Sequence, residues 1–202
     1  MKSYIDELDR NIFNFVEYEG YDDRYPSLSM QAFSSDFYDE IRHASRRLFQ
    51  IFCKAAKVFQ MAPDDFARNM DMPDNLIPYL HKSNALGLPT WLSRFDFVLD
   101  INGNLRMVEL NADTPCFLIE SYYANEIAAN YVGRKHPNTE CRKELHTFLK
   151  RMYDAVLSAK YGRNQYEFMR ANRESLPKNP FVFSCFHDYF EDYGTTQFLM
   201  KE

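Results

Sequence analysis

Glycine is scarce in this chain: only six of 202 residues, with no G-x-x-x-x-G-K and no G-x-G-x-x-G pattern among them. Backbone cradles for phosphate need closely spaced glycines so that N–H groups can approach the ligand. A Gly-rich phosphate loop is therefore not expected within this stretch. The four cysteines, Cys53, Cys116, Cys141 and Cys185, show no C-x-x-C spacing, and the five histidines are equally scattered. Neither a zinc site nor a dithiol redox motif is indicated. No run approaches the roughly 18 apolar residues of a membrane-spanning helix, and the opening MKSYIDELDRNIF lacks the apolar centre of a leader. Long basic runs are absent and the net charge is −5, so nothing favours nucleic acid or an anionic membrane as partner. The expected location is cytoplasmic.

Aromatic residues, in contrast, are abundant. Eighteen Phe and 14 Tyr point to an aromatic core and an aromatic-lined groove. The length suits one well-cored domain. Residues 1–90 read as mainly helical. Ser34-Ser35-Asp36 offers N-cap chemistry for a long helix. Its apolar positions Phe37, Ile41, Ala44, Leu48, Ile51, Phe52, Ala55 and Phe59 recur at helical steps, which predicts a core-facing stripe. Pro63-Asp64-Asp65 looks like the first turn of a second helix. A third helical turn follows Pro73-Asp74 and is kept short by Pro78.

Residues 91–120 organise the rest. Two alternating runs flank Ile101-Asn102-Gly103-Asn104, and Asn-Gly is the strongest short-range signal for a two-residue hairpin turn. Alternation puts Arg94 and Asp96 on one face of the first strand, with Phe95 and Phe97 on the other. In the second strand Met107, Glu109 and Asn111 share a face. Pairing Ile101 with Asn104 sets Asp96 across from Glu109, and Arg94 across from Asn111. Like charges with Cβ atoms about 4.5–5.5 Å apart are destabilising unless a cation lies between them. Mg²⁺ is the natural candidate, because it takes carboxylate and amide oxygens and bridges to phosphate. The planar fork of Arg94 suits a phosphate oxygen. The plainer alternative is an exposed edge hairpin on which Arg94 partly neutralises both acids.

Beyond the hairpin, Asp113-Thr114-Pro115 precedes an expected helix through residues 117–124, whose free N–H groups favour an anion or are simply capped. Helices are also expected over residues 140–157 and 166–170. The apolar run 181–186 reads as a buried strand of a parallel or mixed sheet, and Glu191-Asp192 starts a last helix at its carboxyl end.

Arg94-Phe95-Asp96-Phe97, then Glu109-Leu110-Asn111-Ala112-Asp113-Thr114-Pro115 with Glu120, resembles the glutathionylspermidine synthase family. Glu191-Asp192-Tyr193-Gly194-Thr195-Thr196-Gln197-Phe198-Leu199 is similar to that family's second acidic motif. The resemblance covers nearly the whole chain. It implies a pre-ATP-grasp-like α/β fold over residues 1–202, with helices on a small mixed sheet and an incomplete ATP-grasp region. It also implies ATP- and Mg²⁺-dependent amide formation between an acid and an amine through an acyl phosphate. By that resemblance Asp96, Glu109 and Asn111 bind Mg²⁺, and Arg94 stabilises the phosphoryl group in transfer. Asp113, Thr114 and Cys116 lie beside a glutathione-like acid, and Glu191, Asp192 and Thr195 beside a polyamine-like amine. The family pattern has a small hydroxyl residue where this chain has Cys116, which leaves the acid open. Family members continue past the second acidic motif into an ATP-grasp lobe that carries the nucleotide site. The chain is therefore expected to be a fragment of a longer ligase, inactive alone and lacking that C-terminal lobe. The alternative is a non-catalytic module derived from the family that binds a peptide or polyamine, or docks onto a partner.

Overall fold

The computed structural model of the chain describes residues 3–14, 25–84, 87, 89–112, 115–172, 176, 183–185 and 190–202. The chain divides into two compact units, one gathering residues 1–30 with 114–202 and the other formed by residues 31–113. Seven α-helices and one antiparallel strand pair make up the regular structure of the described residues, with short 3₁₀ and π turns.

In the second unit, α1 (Ser35–Gln60) begins as its sequence predicts: the Ser34 hydroxyl accepts a hydrogen bond from the Phe37 N–H at 3.1 Å. Its expected stripe is only partly realised. Ile41, Ala44, Leu48 and Phe59 are half-buried, but Ile51 and Phe52 are exposed. The inward face instead runs through Phe49, Cys53 and Ala56, so the apolar pattern marks two directions on the helix. α2 (Asp64–Asn69) starts after Pro63, which occupies the cap position. α3 (Ile77–Ser83) has Pro78 in its first turn, so this proline starts the helix and does not shorten it. The three helices are stitched by polar side chains. His81 Nδ1 meets the Gln60 carbonyl at 2.8 Å and Nε2 meets Asp64 Oδ1 at 2.9 Å, while Gln60 Nε2 donates to the Ser83 hydroxyl at 2.8 Å. Phe52 of α1 lies against Phe95 of the hairpin, with ring centroids 6.0 Å apart. That contact turns the Phe95 face of the hairpin toward α1.

The hairpin consists of β1 (Arg94–Leu99) and β2 (Leu105–Asn111). It is antiparallel, and no other strand pairing occurs among the described residues. The strand expected over residues 181–186 lies largely outside the described residues, and 183–185 carry no regular structure.

The first unit holds the better core. Its N-terminal segment supplies Tyr4, Ile5, Leu8, Ile12 and Phe13, all buried, to a cluster completed by Ile119, Ala124, Ala128, Leu145 and Phe198. These come from a continuous helical stretch, a π turn (Glu120–Ala124) running into α4 (Asn125–Tyr131), and from α5 (Thr139–Tyr161) and α7 (Phe190–Lys201). Ser3 and Asp6 cap the N-terminal turn, with the Ser3 N–H donating to the Asp6 carboxylate at 2.8 Å. The Asp9 N–H donates to the Tyr123 hydroxyl at 2.6 Å, tying the segment to the helix beneath. α6 (Arg163–Ala171) turns back from α5 at Gly162, whose φ of +81° favours glycine. No helix among the described residues is long and apolar enough to cross a membrane.

His136, in the connection between α4 and α5, is 6% exposed, and neither ring nitrogen has a hydrogen-bond partner among the described residues. Burial holds its pKa below the ordinary 6.5; Glu126 pulls it up and Arg142 pushes it down. A lowered folded-state pKa means the unfolded chain takes up the proton first. The stability tied to a neutral His136 is therefore complete above about pH 6.5 and is lost as pH falls through and below that value. Denaturant midpoints measured from about pH 8 to about pH 5 should fall for the wild type and flatten for His136→Phe. Parallel profiles would show that His136 does not supply the dependence.

Candidate functional site

The hairpin turn is one residue longer than Asn-Gly spacing implies. Asp100 and Asn104 face one another through the Asp100 N–H, which donates to the Asn104 carbonyl at 2.9 Å. The Gly103 N–H donates to the Asp100 carbonyl at 2.9 Å, closing a type I turn with Gly103 at φ +79°. This is the three-residue loop with glycine in the left-handed position, not the two-residue type I′ turn. The Asp100 carboxylate sets it, accepting from the Asn102 and Asn104 N–H groups at 2.9 Å each and from Arg106 Nε at 3.0 Å. Those bonds, the one from Asn104 first, hold Asp100 below the usual carboxylate range.

The longer loop shifts every pair near the turn: Leu99 faces Leu105, Val98 faces Arg106 and Phe97 faces Met107. A bulge then absorbs Val108. Past it Asp96 faces Glu109, Phe95 faces Leu110 and Arg94 faces Asn111, the register expected from the sequence. Two offsets cancel, so the site pairs are right although the expected turn is not. The bulge also separates Met107 from the acidic set, because Met107 pairs with Phe97. A bulge re-aims side chains and is over-represented next to functional sites.

On the face away from the Phe95–Phe52 contact, Arg94 grips Asp96 with both arms of its fork. Nε donates to Oδ1 at 2.7 Å and Nη2 to Oδ2 at 2.9 Å. Asn111 Nδ2 donates to the same Oδ2 at 3.3 Å. The Arg94 hydrogen bonds hold the Asp96 carboxyl below its usual range. Both side chains are about one-third exposed, and Glu109 stands exposed across the ladder. At this exposure the ion pair contributes little to stability, about 0–1 kcal/mol.

Two carboxylates and an amide oxygen from one hairpin face form a hard-oxygen donor set of the kind Mg²⁺ accepts while keeping several waters or phosphate oxygens. Asp96, Glu109 and Asn111 therefore fit the ion only as a partial shell. They do not form a complete cage, and no group of three or more His, Cys, Asp or Glu among the described residues is arranged to hold a metal.

The other expected site residues belong to the first unit or fall outside the described residues, as Asp113 and Thr114 do. Cys116 is half-buried and follows Pro115 in the signature loop. Phe117 adopts φ +68° and leaves its ring 52% exposed, a conformation that costs a bulky residue on the order of 1–3 kcal/mol. Its N–H donates to Glu191 Oε1 at 3.2 Å, so the start of α7 holds the signature loop. The two motifs, 74 residues apart, thus meet through Glu191. Asp192 and Thr195 are half-buried on α7. Glu120 accepts a hydrogen bond from the Tyr25 hydroxyl at 3.0 Å, a partner that sequence reading missed because nothing local links positions 95 residues apart.

A family profile described as "Glutathionylspermidine synthase preATP-grasp" matches residues 4–202. The chain belongs to this family. No curated protein and no solved structure matches the chain.

Gly194, inside the second acidic motif, has a packing duty. A Cβ placed there would lie 2.0 Å from the Ile12 carbonyl oxygen and 3.2 Å from Ile119 Cδ1. The N-terminal segment crosses α7 at this point, and only glycine admits it. Gly194→Ala should lower the urea midpoint by the equivalent of about 1–3 kcal/mol through backbone displacement. An unchanged midpoint would show that the segment does not pass over α7.

Proposed function

We propose that this chain carries the metal-binding and substrate-side portion of an ATP- and Mg²⁺-dependent acid–amine ligase that works through an acyl phosphate. The observation that carries the reading is the hairpin face itself: Asp96 opposite Glu109, Asn111 beside them, and an arginine fork on the same side. Family membership supplies the reaction class.

In this reading the substrate carboxylate attacks the terminal phosphoryl group of ATP, releasing ADP. The amine then attacks the acyl carbon, phosphate leaves, and the nitrogen loses a proton to give the amide. Asp96, Glu109 and Asn111 would hold Mg²⁺ by their oxygens once the Asn111 amide presents its carbonyl. The bound ion offsets the negative charge of phosphate meeting carboxylate. Arg94 takes two oxygens of the phosphoryl group in its planar fork, where its fixed charge and geometry stabilise the transfer. Asp113, Thr114 and Cys116 would contact the acid, which is glutathione-like by family. Glu191 holds the segment after Cys116 through the Phe117 N–H, and Asp192 with Thr195 would meet the polyamine-like amine, whose positive charge the acids attract. The nucleotide's own lobe is the partner this portion works with.

A second reading has one observation in its favour. Arg94 already satisfies Asp96, as an idle ion pair would. On that reading the hairpin is a relic in a non-catalytic peptide- or polyamine-binding module.

Thermal unfolding with and without millimolar Mg²⁺ and a non-hydrolysable ATP analogue separates the two. A ligand at about 100 times its Kd adds about 2.7 kcal/mol to stability by mass action. The ligase reading expects a raised midpoint that Asp96→Asn abolishes. A midpoint raised equally in the mutant contradicts it, and a midpoint indifferent to the ligands contradicts a metal site that this chain forms by itself.

A further inference from the structure

We propose that Arg94 is the built-in occupant of the metal site: its guanidinium closes Asp96 until a divalent cation displaces it, and the displacement delivers the same guanidinium to phosphate. The inference rests on the ligase reading and concerns how its site is gated.

Its basis is the double engagement of one carboxylate. Arg94 and Asp96 sit two apart on β1, hence on one face, and the fork reaches both carboxylate oxygens at 2.7 and 2.9 Å. Asn111 adds a third donor, its Nδ2, to Oδ2 at 3.3 Å. Donor hydrogens therefore point at the oxygens that a cation needs. An ion that takes both Asp96 oxygens together with Asn111 requires Arg94 to withdraw and the Asn111 amide to turn its oxygen inward. Glu109, exposed directly across the ladder, is positioned to receive the ion first and lead it to Asp96. The arrangement also resolves the like-charge problem of the hairpin. Without metal, the arginine supplies the positive charge that two facing carboxylates require; with metal, the ion supplies it.

The exchange is thermodynamically easy. A partly exposed ion pair is weak enough for a divalent ion to displace, yet it lowers apparent metal affinity by the factor its own strength represents. A phosphate brought by the nucleotide then gives the released fork a new bidentate partner, so metal and nucleotide bind with positive coupling. An ion pair with no such role would leave metal affinity unaffected by its arginine.

The test is direct Mn²⁺ binding, followed by the loss of free-ion electron paramagnetic resonance signal, for the wild type, Asp96→Asn and Arg94→Met. Alongside it, the Arg94 Nε–H resonance is followed during titration with diamagnetic Mg²⁺. The expected results are loss of binding in Asp96→Asn and binding about two- to fivefold tighter in Arg94→Met. The Arg94 Nε–H resonance should move as Mg²⁺ saturates the site. Equal or weaker binding in Arg94→Met, with Asp96→Asn still abolishing it, would overturn the exchange while leaving the metal site standing. Absence of binding in both wild type and Arg94→Met, or binding indifferent to Asp96→Asn, would overturn the metal site and the exchange together. Binding by Arg94→Met alone is the exchange at its limit and supports it.

Discussion

Two carboxylates facing each other across a short antiparallel ladder set the terms for the hairpin. Asp96 and Glu109 are direct partners, and such a pair needs positive charge nearby. Arg94 provides it in the structure as it stands, by a two-armed bond to Asp96. Everything that fixes the hairpin serves this juxtaposition. The Asp100 carboxylate sets the loop, Gly103 admits the left-handed turn, and the bulge at Val108 returns the ladder to the register in which the acids meet. Phe95 against Phe52 turns one face of the hairpin toward α1 and leaves the acids on the other.

The two units divide the work differently. The unit of residues 1–30 and 114–202 has a continuous core in which Phe13, Ile119 and Phe198 are almost wholly enclosed. On that base sit the signature loop, with Phe117 in a strained conformation, and the acidic helix start that holds it through Glu191. The unit of residues 31–113 buries few apolar side chains, Ala67 and Ile77 among them, and leaves Ile51, Val58, Val98 and Val108 more than half exposed. Its order comes instead from caps, the His81–Gln60–Asp64 stitching and aromatic contacts.

Legibility in the sequence followed how local the cause was. The start of α1, α2, α5 and α7 could be read because caps, acids and helical spacing act within a few residues. The acidic pairing was read correctly by way of an incorrect turn, since alternation constrains the face while neither loop length nor bulge is written in it. The expectation that Pro78 keeps its helix short fails because Pro78 stands in a first turn, where its missing N–H costs nothing. The inward stripe of α1 was drawn through Ile51, Phe52 and Ala55 because hydrophobic spacing alone cannot say which of two apolar directions finds a partner. Gly194 and the Glu191–Phe117 bond depend on segments brought together only by folding, so no local pattern announces them. Packing explains why two residues of the family motif, Glu191 and Gly194, stand where they do.

The central claim is that a divalent cation binds between Asp96 and Glu109. Paramagnetic broadening of backbone amide signals by substoichiometric Mn²⁺ tests it most directly, because the effect reports position as well as binding. The account predicts broadening centred on residues 94–97 and 108–111, fading toward the turn at residues 101–103 and removed by excess Mg²⁺. Broadening centred anywhere else, or amides of the hairpin left sharp at saturating Mn²⁺, would contradict it.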